Sequence, residues 1–438
     1  AVGARVTDKK PKNTCVYAKE GFVGTALGWI RMSLCGCLPF MLTDEIPSFI
    51  DALFEMVSGF TTTGASVVVN VEALSQCTNM WRCFSHWIGG MGILVFLLAV
   101  LPLVGGSNMQ LMKAESPGPS VGKLVPKVRF TARILYVLYV ALTLLQVLVM
   151  LMGGMTLYEA LCTSFGTAGT GGFGIYGDSI ARFSPFLQWA ITVFMIAFGV
   201  NFNVYFLLYM RRPKDALHCE EMHWYLGIIA AAALLICANA YDVTLTLENN
   251  LRQSFFQVAS IITTTGFATT DFNLWPGFSH SILVLLMFIG ACAGSTGGGL
   301  KVSRIVIGFK SVLTYLGAFL HPRAVRKVKF EDKDVDAETM HAICVYFIAA
   351  IGLFVISVLL VALDVFDLVT TFSAVAATFN NIGPGLGVAG PTSNFAAFSD
   401  FSKVVMTMDM LLGRLEVFPI LMLFYPPLWK ESIGEARI

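Results

Sequence analysis

The sequence predicts an all-α integral membrane protein built from four tandem repeats, each a helix, a pore loop and a second helix. Three observations carry that expectation. Of 438 residues, 56% are hydrophobic and 13% charged, at a mean hydropathy of +0.73, which is more apolar surface than a soluble core can hide. Apolar runs of roughly 20 residues, enough to cross about 30 Å of hydrocarbon, recur along the whole chain. Between alternate runs lies a short segment too apolar for a solvated loop and too short to cross, and its four copies align without a gap.

In order, the spans fall at residues 20–43, 80–102, 130–153, 184–210, 223–245, 277–316, 341–364 and 402–429. The sixth is too long for one plain span and requires an internal break. The repeats then occupy 20–110, 111–222, 223–340 and 341–438, after a cytoplasmic linker of 1–19. The chain opens without an initiator methionine or signal peptide, on a polar, basic stretch ending at Lys19 and Glu20, as expected where residues are missing before Ala1.

Lys and Arg cluster in alternate connections (Arg5 to Lys19, Lys113 to Arg133, Arg211 to Lys214, Arg323 to Lys333, Lys430 to Arg437), and the positive-inside bias makes those connections cytoplasmic. The opposite connections hold Arg82, Arg182, Arg252 and Lys403 but many acids, among them Asp44, Glu45, Asp51, Asp178, Asp271 and Asp400. An acidic outer face concentrates cations at a mouth; ordinary loop solvation accounts for the same acids.

Composition also excludes classes. At a net charge of +1, with basic residues spread over loops and no interleaved aromatics, nucleic acid is not a partner. Cys35, Cys37, Cys162, Cys237, Cys292 and Cys344 lie in apolar stretches, where a thiol behaves as a small hydrophobe. Cys77 and Cys83 fall on the outer side and are the one candidate disulfide. The six histidines, His86, His218, His223, His280, His321 and His341, are scattered, and no metal-ligand spacing or catalytic grouping forms, so an enzyme is not expected.

The four short segments read FEMVSGFTTTGAS (54–66), CTSFGTAGTGGFG (162–174), FQVASIITTTGFAT (256–269) and SAVAATFNNIGPG (373–385). They bring Gly64, Gly172, Gly266 and Gly383 into one column, a recurrence that marks an internally repeated architecture. A helix of about ten residues spans about 15 Å, so each segment dips in and returns. Irregular backbone at that depth is tolerated only where it lines water or is buried in protein, so four returns converge on a central pore. Glycine takes positive φ without steric cost, letting carbonyls replace the hydration shell of a cation. Each short helix also aims its partially negative end at the pore. Close helix packing through small residues explains any single segment, but not four aligned copies.

With AGSTGGGLK at 293–301 and GRLEVF at 413–418, these segments make the chain resemble the Trk/Ktr/HKT superfamily of potassium transporters, most closely its bacterial TrkH branch, over nearly its whole length. The resemblance implies a potassium-channel-like, pseudo-fourfold fold. It implies a selectivity filter holding K+ on backbone carbonyls and formed by Thr61, Thr62, Thr63 and Gly64, by Gly169, Thr170, Gly171 and Gly172, by Thr263, Thr264, Thr265 and Gly266, and by Asn380, Asn381, Ile382 and Gly383. Glycine in all four key positions matches potassium-selective members, where sodium-preferring plant ones carry serine in the first repeat. Two departures stand out: the family usually has two further helices before the first repeat, and Asp409 stands where an amide is expected.

Gly294, Ser295, Thr296, Gly297, Gly298 and Gly299 interrupt the sixth span, and glycine costs about 1 kcal/mol relative to alanine inside a helix, so the helix breaks there. By resemblance this is the intramembrane loop that gates the cytoplasmic side of the pore, followed by Lys301 and Arg304. Its partners are expected to be weak and replaceable. The run lacks the strand and the Gly-Lys-Ser/Thr order of a phosphate loop. Arg414 is an intramembrane charge; the resemblance places it near the loop as an electrostatic barrier, and an ion pair with Asp409 or Glu416 is the structural alternative.

The expected function is channel-like potassium uptake across the bacterial inner membrane, with coupled symport with sodium or protons, or service as the ion-translocating subunit of an ATP-driven pump, as alternatives. The resemblance further implies a homodimer in membrane lipid that docks a cytoplasmic TrkA-type ring of RCK domains near Arg211, Arg212, Arg323, Arg326 and Lys327. No covalently bound cofactor is expected; nucleotide would act only through that partner.

Overall fold

The computed structural model describes residues 18–92, 128–321 and 327–427. The linker 1–19, the end of the second span beyond Gly92 and the basic stretches at 113–127, 323–326 and 430–437 therefore fall wholly or mainly outside the described residues. Within them the regular structure is helical apart from one two-stranded turn, Lys329–Phe330 against Lys333–Asp334.

Four units follow one another, each an outer helix, a pore helix and an inner helix. Their outer helices are Ala18–Gly36, Val128–Met152, Glu220–Asn239 and Ala337–Val361; their pore helices are Phe49–Phe60, Leu157–Gly169, Leu247–Ile262 and Leu368–Phe379; their inner helices begin at Gln76, Pro185, Gly277 and Asp400. At 1.5 Å per residue the pore helices reach about 18 to 24 Å, short of the hydrocarbon thickness. Each starts on a side chain that accepts a backbone N–H of the first turn: Ser48 from Asp51, Thr156 from Glu159 in a reciprocal capping box, Thr246 from Asn249 and Asp367 from Thr370. Those caps satisfy donors that the first turn leaves orphaned.

Lipid and protein faces separate as the composition demands. The outer helices expose Leu144, Leu148, Ile348 and Leu359, apolar side chains of the kind a membrane-facing surface carries. The pore helices are buried, and their small residues, such as Ala374, Ala376 and Ala377, allow close approach. Each inner helix packs on the pore helix of the next unit, the first on the second, the second on the third, the third on the fourth and the fourth on the first. The chain of contacts closes on itself.

Among the described residues five helices, Gly21–Leu42, Arg133–Met152, Glu220–Asn239, Val302–Leu320 and Ala337–Val361, are long and apolar enough to cross a membrane, and a sixth if the bent pair Pro185–Gly199 and Phe202–Tyr209 counts as one. Of the eight spans expected, the second is described only as far as Gly92, and the fourth and eighth, like the sixth, are interrupted. The sixth span breaks as foreseen, between Ile289 and Val302, but the fourth also bends by 88° at Val200–Asn201 and the eighth breaks between Arg414 and Phe418. In the last break Glu416 and Val417 take positive φ, 56° and 69°, unusual for a β-branched residue, and Pro419 begins the new helix without an N–H to satisfy.

Candidate functional site

The four short segments end at one place. Gly64, Gly172, Gly266 and Gly383 border a single cavity together with Ala65, Phe173, Ala268 and Pro384. All four have positive φ, 79°, 76°, 82° and 100°, and two residues earlier so do Thr62, Thr170, Thr264 and Asn381, at 56°, 55°, 59° and 56°. Threonine in that region is strained, by roughly 1–3 kcal/mol per residue, and persists only where its surroundings over-determine it.

Those surroundings are the pore helices. In every unit the residue before the key glycine donates its N–H back into the helix: Thr63 to Ser58 O at 2.9 Å, Gly171 to Gly166 O, Thr265 to Ser260 O and Ile382 to Ala377 O, each at 2.8 Å. The preceding residue does the same, Thr62 to Gly59, Thr170 to Thr167, Thr264 to Ile261 and Asn381 to Thr378. With the N–H groups turned outward and the handedness alternating, successive carbonyls are turned to one side. Those of Thr62, Thr63, Thr170, Gly171, Thr264, Thr265, Asn381 and Ile382 accept no hydrogen bond among the described residues, although the residues are buried. Buried carbonyls are normally paired; a set left open in this way has the chemistry to replace the hydration shell of a cation.

Neighbouring segments also touch. A Cβ on Gly64 would collide with the carbonyl of Gly171, one on Gly172 with that of Thr265, one on Gly266 with that of Ile382, and one on Gly383 with that of Thr63 at 2.7 Å. The contacts run around all four units and close, so the glycines are required twice, for φ and for space.

Directly beneath lies the break of the third inner helix. A Cβ on Gly297 would approach the carbonyl of Thr263 at 3.0 Å, and one on Gly298 that of Asn380 at 2.8 Å, so the loop sits against the inner end of the filter segments. The weak, replaceable partners expected for it are not what holds it. Gly298 donates to Thr264 Oγ1 at 2.7 Å, and Thr296 Oγ1 donates to Phe198 O at 3.3 Å. Buried Lys301, at φ 74°, turns Nζ back onto the carbonyls of Gly297 and Gly298. Glu221 Oε1 accepts from Ala293 N at 2.7 Å and Ser303 N at 3.1 Å, one on either side of the loop. Cys292 donates to Gly199 O at 3.1 Å and Gly294 accepts from Phe202 N at 3.0 Å. The bend of the second inner helix is therefore where this loop inserts, and its freed backbone groups are satisfied there.

Arg414 donates to Thr296 O at 3.0 Å, to Gly90 O at 3.2 Å and to Gly89 O, joining the fourth inner helix to the loop and to the end of the first inner helix. The carboxylates weighed as its partners are engaged elsewhere. Glu416 accepts from Arg304 at 2.6 Å, and Asp409 accepts from Ser357 Oγ at 2.5 Å.

Other expectations are corrected. Arg82, Arg252 and Lys403 are not loop residues but buried side chains: Arg82 pairs with buried Glu55 at 2.7 Å, Arg252 with Glu248 at 2.5 Å and Lys403 with Asp51 at 2.7 Å. Cys77 and Cys83 are both free, one exposed and one buried; six residues apart on one helix they lie on different faces. Glu221 and His86 were missed. Glu221 stands two residues before the expected start of its span, and His86 had no partner nearby in sequence.

The chain matches the TrkH family, described as cation transport protein, over residues 2–234 and 241–431. It is 38% identical over 424 residues to the Trk system potassium uptake protein TrkH of Salmonella typhimurium, covering 94% of this chain and 86% of that protein. It is 32% identical over 434 residues to the Trk system potassium uptake protein TrkG of Escherichia coli, covering 98% and 89%. The crystal structure of the potassium transporter TrkH from Vibrio parahaemolyticus superimposes with a TM-score of 0.84 at 33% identity, covering 96% of this chain and 88% of that one. The chain belongs to the TrkH family of cation transport proteins.

Proposed function

We propose that this chain conducts potassium ions through the ring of carbonyls beneath Gly64, Gly172, Gly266 and Gly383, as a channel-like uptake protein of the bacterial inner membrane. The observation that carries the reading is that ring: buried carbonyls from four units, turned to one side by alternating handedness and claimed by no donor among the described residues. A cation entering it exchanges hydration water for carbonyl oxygens that need not reorganise. The names of the relatives, potassium uptake proteins, favour potassium as that cation.

The loop Gly294–Gly299 with Lys301 and Arg414 is the gate. It lies across the inner end of the ring, and Arg414 adds a positive charge there; at about 4 Å and an effective dielectric of 20 a unit charge repels a cation by about 4 kcal/mol, less where water screens it. A partner shifts the balance towards opening only by binding the open and closed loops differently. A cytoplasmic ring of TrkA-type RCK domains, docking on a homodimer and carrying the nucleotide, fits that role. Arg211, Arg212 and Lys327 are the candidate contacts among the described residues; Arg212 and Lys327 are exposed and already paired with Asp215 and Asp334.

Purified protein in liposomes tests the reading. Potassium and rubidium should pass without ATP or a partner and ahead of sodium and lithium. Flux that requires ATP would mark a pump subunit, and single-channel recordings without resolvable unitary currents would favour coupled symport.

A further inference from the structure

We propose that His86 is a positioning residue of the filter, supplied by the first inner helix in place of the side chains that the second filter segment lacks. This rests on the filter reading above. In the first and third units hydroxyls brace the segment from behind. Thr61 Oγ1 contacts Thr63 Oγ1 at 2.8 Å and donates to Val57 O; Thr263 Oγ1 contacts Thr265 Oγ1 at 2.7 Å and donates to Ala259 O. In the fourth, Asn380 Nδ2 donates to Ala376 O at 3.0 Å, and Asn381 Nδ2 donates to Met410 O and Thr63 Oγ1, each at 2.9 Å. The second unit has Gly169 and Gly171 at the positions of both paired threonines. Its one hydroxyl, Thr170 Oγ1, donates to Gly169 O at 2.6 Å within the segment, and at the two glycines it has no side chain to tie it to its pore helix.

The imidazole of His86 occupies the vacant space. A Cβ built on Gly171 would fall against the ring, its three nearest atoms all belonging to the imidazole, and one on Gly169 would meet the His86 backbone. The ring is fully buried, 4.2 Å from the Phe173 ring centroid to centroid. Its Nδ1 lies 2.7 Å from Gly59 O, in the first pore helix, and its Nε2 accepts from Phe173 N at 3.1 Å, the residue after Gly172. A carbonyl can only accept and an amide N–H can only donate, so the ring is neutral with its proton on Nδ1. One side chain thus fixes the second segment at both glycines and at Phe173, and ties it to the first unit.

The test is ion selectivity, read as the reversal potential under opposed potassium and sodium gradients, for protein verified by gel filtration. His86→Leu keeps bulk without the two hydrogen bonds, His86→Ala leaves a void, and His86→Gln keeps one donor and one acceptor. The sodium-to-potassium permeability ratio should rise several-fold in the Leu and Ala variants, up to about tenfold for the loss of one net hydrogen bond, and return towards wild type with Gln. Gly171→Ala should be better tolerated with His86→Ala than alone, because the ring it strikes is gone. Wild-type selectivity in His86→Leu, while Gly64→Ser shifts it, overturns the role of His86 and leaves the filter standing. If neither variant shifts it, the filter reading itself fails.

Discussion

Arg414 reaches Thr296 across the inner end of the ring, its Nη1 3.0 Å from the loop carbonyl. The same guanidinium holds the carbonyls of Gly89 and Gly90, so one side chain both carries a charge beneath the carbonyl ring and fastens the loop that lies there. Removing it should release both restraints. Arg414→Ala is expected to raise rubidium flux into liposomes by about tenfold, the equivalent of about 1.4 kcal/mol out of the roughly 4 kcal/mol repulsion that remains partly screened. Arg414→Lys, keeping charge without the fork, should give an intermediate rise. Lower flux from well-assembled Arg414→Ala protein would identify the residue as a structural tie alone.

In the proposed function the glycine-rich loop Gly294–Gly299 is the gate, and Glu221 holds that loop at both ends. Its Oε1 takes both Ala293 N and Ser303 N, closing the break of the third inner helix at its two ends. Glu221→Ala leaves the part-buried N–H of Ala293 and the buried N–H of Ser303 without their acceptor, a loss of about 1–3 kcal/mol for each. Raised flux in the absence of any partner and a lower melting temperature should follow together. Glu221→Gln retains a carbonyl oxygen and should show a smaller change in both. A melting temperature lowered without any change in flux would separate this clamp from gating.

A pH effect is expected at the outer end of the fourth pore helix. Asp367 caps it, and the hydrogen bonds from the Thr370 side chain and backbone hold its exposed carboxyl below the usual carboxylate range. A group whose folded value is depressed stabilises above its unfolded value and loses that contribution as pH falls through the folded one. As pH falls below about 4, the ordinary carboxylate value, thermal stability should therefore fall less in Asp367→Asn than in wild type, with the variant already somewhat lower at neutral pH. Parallel pH profiles would show that the cap does not titrate with folding.

Much of this was legible in the sequence, for physical reasons that differ by element. The glycine column announced itself because positive φ and close approach leave few other residues possible, and four copies at matching places removed the ambiguity of each. The break at Gly294–Gly299 was legible because consecutive glycines cannot hold a helix. The bend at Val200 was not: Pro185–Tyr209 reads as one apolar run, and the bend exists because Cys292 and Gly294, about 90 residues later, bond to its freed backbone. Arg82, Arg252 and Lys403 looked like loop charges because their partners, Glu55, Glu248 and Asp51, are not evident from composition. His86 escaped for the same reason, since both its partners come from other elements.

The most direct measurement of the central claim is the reversal potential of the reconstituted protein under opposed potassium and sodium gradients, for wild type and Gly64→Ser. At φ 79° the serine Cβ costs roughly 1–2 kcal/mol and drives against the carbonyl of Gly171, loosening the ring where it must fit the ion. The account predicts a wild-type potential close to the potassium equilibrium value and a Gly64→Ser potential displaced towards sodium. An unchanged potential in assembled Gly64→Ser protein would contradict it.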